Sequence, residues 1–466
     1  MRDTRQTMRW ISISIAVIAA AIRLMPLVRS DLSFAFRPDD SFEYLQLADG
    51  MRHGCGFARL VGGKCQPPEI LRTPGYPLFL AMTGGSVTWS LVAQAILAAV
   101  VCLMVARWIA GYWNLSAAIA AELLIAFDIP SIVLSSEVMS ESLFQFALVM
   151  AVLPALLFRS RARDALLTAI IAGIVAGFAV LVRPIGIVLP ILLPLPFLAA
   201  RALDRRHRNA AAAFAFALSA LIVGGWFARN YSVAGYPGLS TVGAINIYYY
   251  RAADIVARQE HSLLAATRAS FGARLGVPYE LVYSAGVQSS ELVRRMNQLG
   301  FAVIEAHPIE AAAMMVQGSV YLALAPMRTA LAKTIGTAGS YEGDGLNAGA
   351  LSAGRVGNAL HAILQSPALS VLILVQLLMT LVLWGGIAAA IVRCVRAETE
   401  YRLWVAYLLT CGILMLVLAA GGEADVRFRA PVVPLLAVVA ALGYFPRRRP
   451  DDRANSALTT TSVAAG

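Results

Sequence analysis

Apolar segments long enough to cross a membrane recur along the whole chain. A helix needs roughly 17 to 25 consecutive apolar residues to cross about 30 Å of hydrocarbon. Of the 466 residues, 59% are hydrophobic and 14% are charged, which is far more apolar than a soluble domain. We therefore expect an all-α polytopic membrane protein with about 10–12 transmembrane helices. The expected spans are 10–28, 89–109, 115–133, 142–158, 165–182, 185–200, 210–228, 308–326, 367–392, 403–420 and 431–445.

Clusters of arginine indicate which side of the membrane each loop occupies. The clusters within 2–9, 159–163 and 201–208 all fall on one side of the expected spans. By the positive-inside rule this side is cytoplasmic. The net charge of +11 does not indicate nucleic-acid binding, because these clusters lack the interleaved aromatic residues of a base-stacking surface. The long segments 29–88 and 229–306 are therefore expected to be external, with interfacial helices in the first.

The C-terminal end of the chain does not fit eleven crossings. These crossings would place Arg447 to Arg449 outside, although such a triplet is typical of a cytoplasmic end. Two alternatives remain open: 308–326, which follows His307-Pro308, is re-entrant, or the Gly- and Ala-rich 345–364 also crosses. We expect one membrane domain over 1–446, followed by a disordered cytoplasmic tail at 447–466.

Two of the five cysteines lie together in the first external loop. Cys55 and Cys65 would face an oxidising compartment, where disulfides form, so a bridge between them is expected. The alternative is a pair of unconnected loop thiols.

The polar stretch RPDDSFEYLQLADGMRHGCGF at 37–57 follows the first span directly. Asp40, Tyr44, Leu47 and Met51 advance by four, three and four residues, which places them on one face of a helix. In the same loop, Arg72 of LRTPGYPLFLAM offers a planar cation suited to phosphate. The alternatives are an amphipathic surface helix whose acids face water, and an arginine that reaches lipid headgroups.

The order of these motifs resembles that of the GT-C membrane glycosyltransferases. The similarity is greatest to the branch of the protein O-mannosyltransferases and the lipid A aminoarabinose transferases. Matching motifs are spread over most of the chain: Asp39-Asp40 with Tyr44, GCGF, RTPGYPLFL, SEVMSESLFQF at 136–146, LVRPIGIVLP at 181–190, GGWFARNYSVAG at 224–235 and RFRAPVVP at 427–434.

The resemblance implies an enzyme that transfers a sugar from a polyprenyl-phosphate donor to a lipid, glycan or protein acceptor. Such inverting transfer requires a carboxylate base and cations that hold the departing phosphate. Asp40 takes the family's base position, four residues before Tyr44, and Asp39 is a supporting residue or a metal candidate. A lipid-linked donor also explains why no nucleotide-binding glycine motif is needed.

Further candidates lie at the expected span ends. Glu141 is the second catalytic candidate, although it and Glu137 also suit the N-terminus of a helix. Asp128 is a further acid, or simply an interfacial residue. The expected substrate-binding residues are Tyr44, Arg72, Tyr76, Glu137, Arg183, Arg229, Asn230, Arg427 and Arg429. Their alternative roles are a tight external turn for Arg183, an interfacial anchor for Arg229-Asn230, and a solvated charged face for Arg427 and Arg429.

The competing functions require charged residues at different depths in the membrane. A transporter or flippase would need charged groups along a midplane path and paired broken helices. A ligase that moves a whole glycan, an enzyme that transfers a phosphoryl group, and a non-catalytic subunit that retains the fold also remain open. No closely spaced zinc-type residue set occurs, and a divalent cation held by Asp39 or its neighbours is a metal alternative. We expect a bacterial inner-membrane protein whose site faces the periplasm.

The expected orientation can be tested by cysteine labelling. Because 229–306 is external in this topology, the variant Glu260→Cys should react with a membrane-impermeant maleimide in intact cells. Arg205→Cys, on the cytoplasmic side, should react only after rupture. Labelling of position 260 only after rupture would reverse the topology.

Overall fold

The computed structural model describes residues 2–29, 31–157, 162–284, 289–335 and 366–446. The expected tail at 447–466 and the possible crossing at 345–364 lie outside these residues. The helices of the first half are α1 (Arg2–Leu24), α2 (Pro38–Arg52), α3 (Gly75–Met82), α4 (Val87–Tyr112), α5 (Leu115–Ala126), α6 (Ile129–Ser135), α7 (Glu141–Leu157), α8 (Ala162–Val182), α9 (Leu189–Leu192), α10 (Pro194–Ala199) and α11 (Arg205–Ala234). Those of the second half are α12 (Val242–Ile245), α13 (Ala253–Gln259), α14 (Leu264–Leu275), α15 (Ser290–Ala306), α16 (Pro308–Leu324), α17 (Arg328–Ile335), α18 (Pro367–Cys394), α19 (Thr399–Leu418) and α20 (Val433–Tyr444).

The helices confirm an all-α polytopic membrane protein. In the described part of the chain, seven helices are long and apolar enough to span a membrane, or nine if two bent pairs each count as one span. The pair α5 and α6 bends by 53°, and the pair α15 and α16 bends by 100° at the predicted His307-Pro308 break. Two shorter apolar helical stretches, Glu141–Leu156 and Pro184–Ala199, cover the remaining expected spans.

Small residues let the membrane helices pack closely. A Cβ added at Gly173 of α8 would lie 2.8 Å from the carbonyl oxygen of Ala215 in α11. One added at Gly443 of α20 would lie 2.0 Å from the carbonyl oxygen of Gly386 in α18. Close backbone approach at small residues is a main source of helix association in lipid. Helix α20 is buried from Val433 to Gly443, and this burial fixes the position of the segment that precedes α20.

The segment 29–88, the first external loop of the expected topology, is folded into the protein. Helix α2 begins with a proline at its first turn, where the missing N–H costs nothing. Tyr44, Leu47 and Ala48 of α2 are buried, so the predicted apolar face packs against the helix bundle. The alternative of a helix lying freely on the membrane surface is therefore excluded by its contacts.

A β-hairpin follows α2, which the sequence analysis did not predict. Strands β1 (Ala58–Val61) and β2 (Lys64–Pro68) are antiparallel, and Val61 pairs with Lys64 across a two-residue turn. The turn residues Gly62 and Gly63 have φ of +57° and +76°, the backbone that a tight type I′ turn requires. A disulfide between Cys55 and Cys65 ties the hairpin to the end of α2.

The second external loop packs on the first. Its core contains Tyr248, Tyr249, Phe271 and Met296, and it also buries Leu71 of the first loop. The N–H of Thr241 donates to the carbonyl oxygen of Ile70 at 3.2 Å. The two loops therefore form one packed layer.

A substitution at Gly50 tests how closely α2 packs on the hairpin. A Cβ added there would lie 1.8 Å from the carbonyl oxygen of Ala58 in β1, so the hairpin backbone would have to move. We expect Gly50→Ala to lower the free energy of unfolding by about 1–3 kcal/mol, measured by thermal unfolding in detergent.

The matched control is Gly224→Ala in α11, where an added Cβ meets no atom within 4 Å. Because alanine favours a helix over glycine by roughly 0.5–1 kcal/mol, this variant should be neutral or slightly more stable. An unchanged unfolding temperature for Gly50→Ala would contradict the close packing of α2 on the hairpin.

Candidate active site

A cavity of about 470 Å³ lies between the segments 29–88 and 229–306 and the turn 419–432, which joins α19 to α20 and is the last external turn of the expected topology. This volume is in the range of about 300–1,000 Å³ that is usual for ligand pockets. The polar and charged groups of its wall come from segments far apart in the sequence: Asp40, Tyr44, Arg72, Thr73, Ser140, Arg183, Ser240, Asn246, Tyr250, Arg251, Tyr283, Glu423 and Arg427.

The carboxylate of Asp40 is held by two arginines inside this cavity. Arg72 Nη2 donates to Asp40 Oδ1 at 2.5 Å, and Arg427 Nη1 donates to Oδ2. Burial alone would raise the pKa of Asp40, but the two guanidinium groups bring it well below its usual range. Asp40 is therefore ionised in this structure, and both of its oxygens are occupied by cations.

A second carboxylate, that of Glu43, also holds Arg72. Arg72 Nε donates to Glu43 Oε2 at 2.6 Å, three residues after Asp40 on the same face of α2. Glu43 also lies 3.3 Å from Arg59, which donates from Nε to Glu69 Oε2 at 2.6 Å. This chain of alternating charges ties α2 to the hairpin. Burial opposes the charge of Arg72, but Asp40 and Glu43 raise its pKa well above the ordinary value.

A second set of ion pairs positions Arg427. Arg37, which precedes α2, donates from Nε to Glu137 Oε2 at 2.6 Å and lies 3.4 Å from Asp425. Asp425 accepts a bond from the backbone N–H of Arg427 at 3.0 Å. Burial raises the pKa of Asp425, but Arg37 and Arg427 outweigh it and lower the pKa. Glu137, predicted to bind substrate, thus lies behind the wall as an ion-pair partner.

Arg183 and Glu141 form a third pair. Arg183 lines the cavity, with its Nη1 at 2.5 Å from Glu141 Oε1 and donating to Ser140 Oγ at 3.0 Å. The Glu141 contact is an ion pair without hydrogen-bond alignment. The Glu141 side chain is 2% exposed and does not line the cavity, so its place is behind Arg183.

Besides Glu137, four more residues predicted to bind substrate lie away from the cavity wall, and their side chains bond to other groups of the protein. Tyr76 is buried, and its hydroxyl donates to Gln94 Oε1 at 2.7 Å. Arg229 donates to the carbonyl oxygen of Phe57 at 3.1 Å, and Arg429 donates to that of Ala323 at 2.6 Å. Asn230 donates to the carbonyl oxygen of Gly238 at 2.8 Å. Their contacts hold loops and helix ends together.

Asp128, the remaining predicted acid, caps α6. Its Oδ2 accepts from the N–H of Ser131 at 3.0 Å and from the Ser131 hydroxyl at 2.6 Å. This is the usual role of an aspartate that precedes a helix.

The described residues do not fit a divalent cation at Asp40, because arginines occupy both of its oxygens. Among these residues no three His, Cys, Asp or Glu side chains are grouped as metal ligands. Asp39 lies in α2, but its side chain is outside the described part of the structure.

A further ion pair in the cavity, between Arg251 and Glu423, involves residues that were not predicted from the sequence. Arg251 Nη2 donates to Glu423 Oε1 at 2.5 Å, and the hydroxyls of Tyr250 and Tyr283 lie 3.3 Å apart beside it. Glu423 could have been found from the sequence, because it belongs to the run of charged residues around Arg427. Arg251 had no such signal except the preceding run of three tyrosines.

The pairing of Asp40 with Arg72 and Arg427, here called the Asp40 clamp, predicts how the stability of the fold depends on pH. Because the folded-state pKa is depressed, the contribution of Asp40 is complete above about pH 5 and declines as the pH falls below the ordinary carboxyl pKa of about 3.9. The gap in unfolding temperature between wild type and Asp40→Asn should therefore narrow between pH 5 and pH 3, measured by tryptophan fluorescence in detergent.

Asp49→Asn provides the control on the same helix, since Asp49 is exposed and pairs with exposed Arg52 at 3.4 Å. Its gap to wild type should be small at every pH. A gap for Asp40→Asn that stays constant down to pH 3 would contradict the depressed pKa.

Two solved structures are similar to this chain, both at low sequence identity. No protein-family model matches the chain, and no curated protein matches it. A solved structure of the oligosaccharyltransferase of Archaeoglobus fulgidus, in complex with Zn and sulfate, is similar with a TM-score of 0.48 and 19% identity, over 92% of this chain and 49% of that chain. ArnT of Cupriavidus metallidurans bound to undecaprenyl phosphate is similar with a TM-score of 0.40 and 16% identity, over 93% of this chain and 77% of that chain.

The chain spans about half the length of the archaeal enzyme. At identities of 19% and 16%, the two likenesses concern the fold alone. The chain is a polytopic helical membrane protein whose sequence motifs resemble those of the GT-C glycosyltransferases.

Proposed function

We propose that the protein is an integral membrane glycosyltransferase of the bacterial inner membrane, with its site facing the periplasm. It moves a sugar from a polyprenyl-phosphate donor to a hydroxyl or amine of a lipid, glycan or protein acceptor. One observation carries the proposal: the Asp40 carboxylate lies in a cavity of about 470 Å³ that also exposes Arg72, Arg183 and Arg427.

The three arginines suit a lipid-linked phosphate. Guanidinium groups form charge-assisted, bidentate bonds to phosphate oxygens. Arg183 follows a span and Arg427 lies at the start of one, so a phosphate held between them would sit at the membrane surface. A donor whose lipid tail remains in the bilayer needs its phosphate site at this depth.

Asp40 is the group that can take the acceptor's proton. In the transfer, the bond between the anomeric carbon and the phosphate oxygen breaks, and a bond from the acceptor oxygen or nitrogen to that carbon forms. The acceptor proton passes to Asp40, and the polyprenyl phosphate leaves with one more negative charge than it had in the donor. The arginines stabilise this added charge, which develops in the transition state.

The resting structure holds Asp40 in a weakly basic state. Arg72 and Arg427 depress its pKa, so it would accept a proton poorly while both pairs persist. A donor phosphate competes for the same guanidinium groups. Sharing them with the phosphate raises the pKa of Asp40 toward the ordinary value, and Asp40 becomes a useful base only when a donor is bound.

A transporter is less well supported. It would need charged groups along a path through the bilayer. Instead Asp40, Arg72 and Glu423 lie in external segments of this topology. A ligase that moves a whole glycan would use the same charges, and only the size of the accepted donor separates the two reactions.

The central test measures transfer by purified protein in nanodiscs. Undecaprenyl phosphate carrying mannose, glucose, galactose or aminoarabinose is the donor panel, and envelope membranes provide the acceptor. Release of undecaprenyl phosphate is measured. Asp40→Asn should lower turnover by roughly 10²–10⁴-fold with donor binding retained, because it removes the base. Arg72→Ala should weaken donor binding by roughly ten- to a hundredfold.

Asp49→Asn, on the same helix but exposed, should transfer at the wild-type rate. Near-normal transfer by folded Asp40→Asn would reject Asp40 as the base. A wild-type protein that binds no undecaprenyl phosphate would reject the glycosyltransferase itself. Turnover only with lipid-linked oligosaccharides would favour the ligase.

A further inference from the structure

The cavity wall contains a π-helix at Asn246–Ala252, between α12 and α13. Such helices are rare and occur frequently at functional sites. Their i→i+5 hydrogen bonds widen the turn, so residues four apart lie nearly above one another. Asn246 lies above Tyr250 and Ile247 above Arg251, and all four line the cavity. The π-helix therefore presents a two-residue-wide face to the cavity.

The opposite face of the π-helix is anchored in the loop core. Tyr248 packs on Phe271 with ring centroids 4.8 Å apart, and its hydroxyl donates to the Phe271 carbonyl oxygen at 3.0 Å. The hydroxyl of Tyr249 donates to the carbonyl oxygen of Val277 at 2.6 Å. Both side chains are buried, so the orientation of the cavity face is fixed.

The charge of Arg251 is neutralised by Glu423. Arg251 Nε and Nη2 donate to Glu423 Oε1 at 2.9 and 2.5 Å, and the Glu423 side chain is 7% exposed. A Cβ added at Gly421 would lie 2.5 Å from Arg251 Nε, and one added at Gly422 would lie 2.4 Å from the carbonyl oxygen of Tyr250. Glycines thus allow the last external turn to approach the π-helix.

Asn246 and Tyr250 complete the polar face. The Asn246 amide lines the cavity and makes no side-chain hydrogen bond to any residue that the structure describes. The Tyr250 hydroxyl lies 2.6 Å from that of Tyr279, and Arg268 stacks 4.4 Å from the centre of the Tyr250 ring. The phenol is therefore held in place, whereas the amide has a donor and an acceptor to offer.

We infer that Asn246, Tyr250, Arg251 and Glu423 form a subsite for a hydroxyl-bearing sugar ring, next to the Asp40 clamp. Each sugar hydroxyl both donates and accepts a hydrogen bond, and this set supplies an amide, a phenol, a guanidinium and a carboxylate. A phosphate would be repelled by Glu423, which already neutralises Arg251. The inference rests on the proposed function, and the sugar belongs either to the donor or to a glycan acceptor.

The test compares paired ligands that differ only in the sugar. Binding of undecaprenyl phosphate, and of its mannose, glucose, galactose and aminoarabinose derivatives, is measured for the wild type, Asn246→Ala and Tyr250→Phe. If the sugar is the donor's, wild type binds one derivative more tightly than undecaprenyl phosphate. Each variant should lose roughly three- to tenfold in affinity for that derivative and none for undecaprenyl phosphate, because only neutral hydrogen bonds to the sugar are removed.

Tyr249→Phe is the matched control: it removes a hydroxyl from the same π-helix on the face away from the cavity. It should bind every ligand as the wild type does. If the variants keep donor affinity but need more envelope acceptor for half-maximal transfer, the subsite holds the acceptor sugar.

Unchanged values for donor and acceptor in both variants would overturn the inference while leaving the proposed function intact. Failure of the wild type to bind undecaprenyl phosphate would instead overturn the proposed function, and the inference with it.

Discussion

The structure depends on the contact of Arg72 and Arg427 with Asp40. Asp40 and Arg427 are 387 residues apart, and Arg72 follows the hairpin, so one carboxylate joins three distant segments. All three side chains are largely buried, and removing one partner of such a group typically costs about 3–5 kcal/mol. These charges therefore help to hold the three segments together around the cavity.

The remaining charges around the cavity act through this contact. Arg37 links Glu137, which precedes α7, to Asp425, which precedes Arg427. Glu43 and Arg59 link α2 to the hairpin. Behind them, the burial of α20 fixes where its first residues begin. The close packing of α20 therefore positions the last external turn, and this turn positions the guanidinium of Arg427.

The spans could be predicted from the length of their apolar runs, and helix α2 from the helical spacing of its residues, because both signals are local. The hairpin was missed although Gly62-Gly63 between Val61 and Lys64 is a local turn signal, because four- and five-residue strands carry little periodicity. Site residues were harder, since an arginine's partner is not local. Arg72 and Arg229 look alike in sequence, yet the first meets carboxylates and the second meets backbone carbonyl oxygens. Arg251 and Glu423, 172 residues apart, pair only through the fold.

The paired state of the arginines also bears on turnover. A phosphate that enters the cavity exchanges a carboxylate partner of Arg72 and Arg427 for a phosphate oxygen, so the net gain in binding is smaller than for unpaired arginines. In the proposed reaction, Asp40 holds the acceptor proton after transfer and is neutral, so it no longer competes with the phosphate for these groups. Loss of that proton to water would restore the carboxylate, which would again attract both arginines and help to displace the polyprenyl phosphate. The proposed mechanism therefore links deprotonation of Asp40 to release of the lipid product through the same two ion pairs that assemble the site.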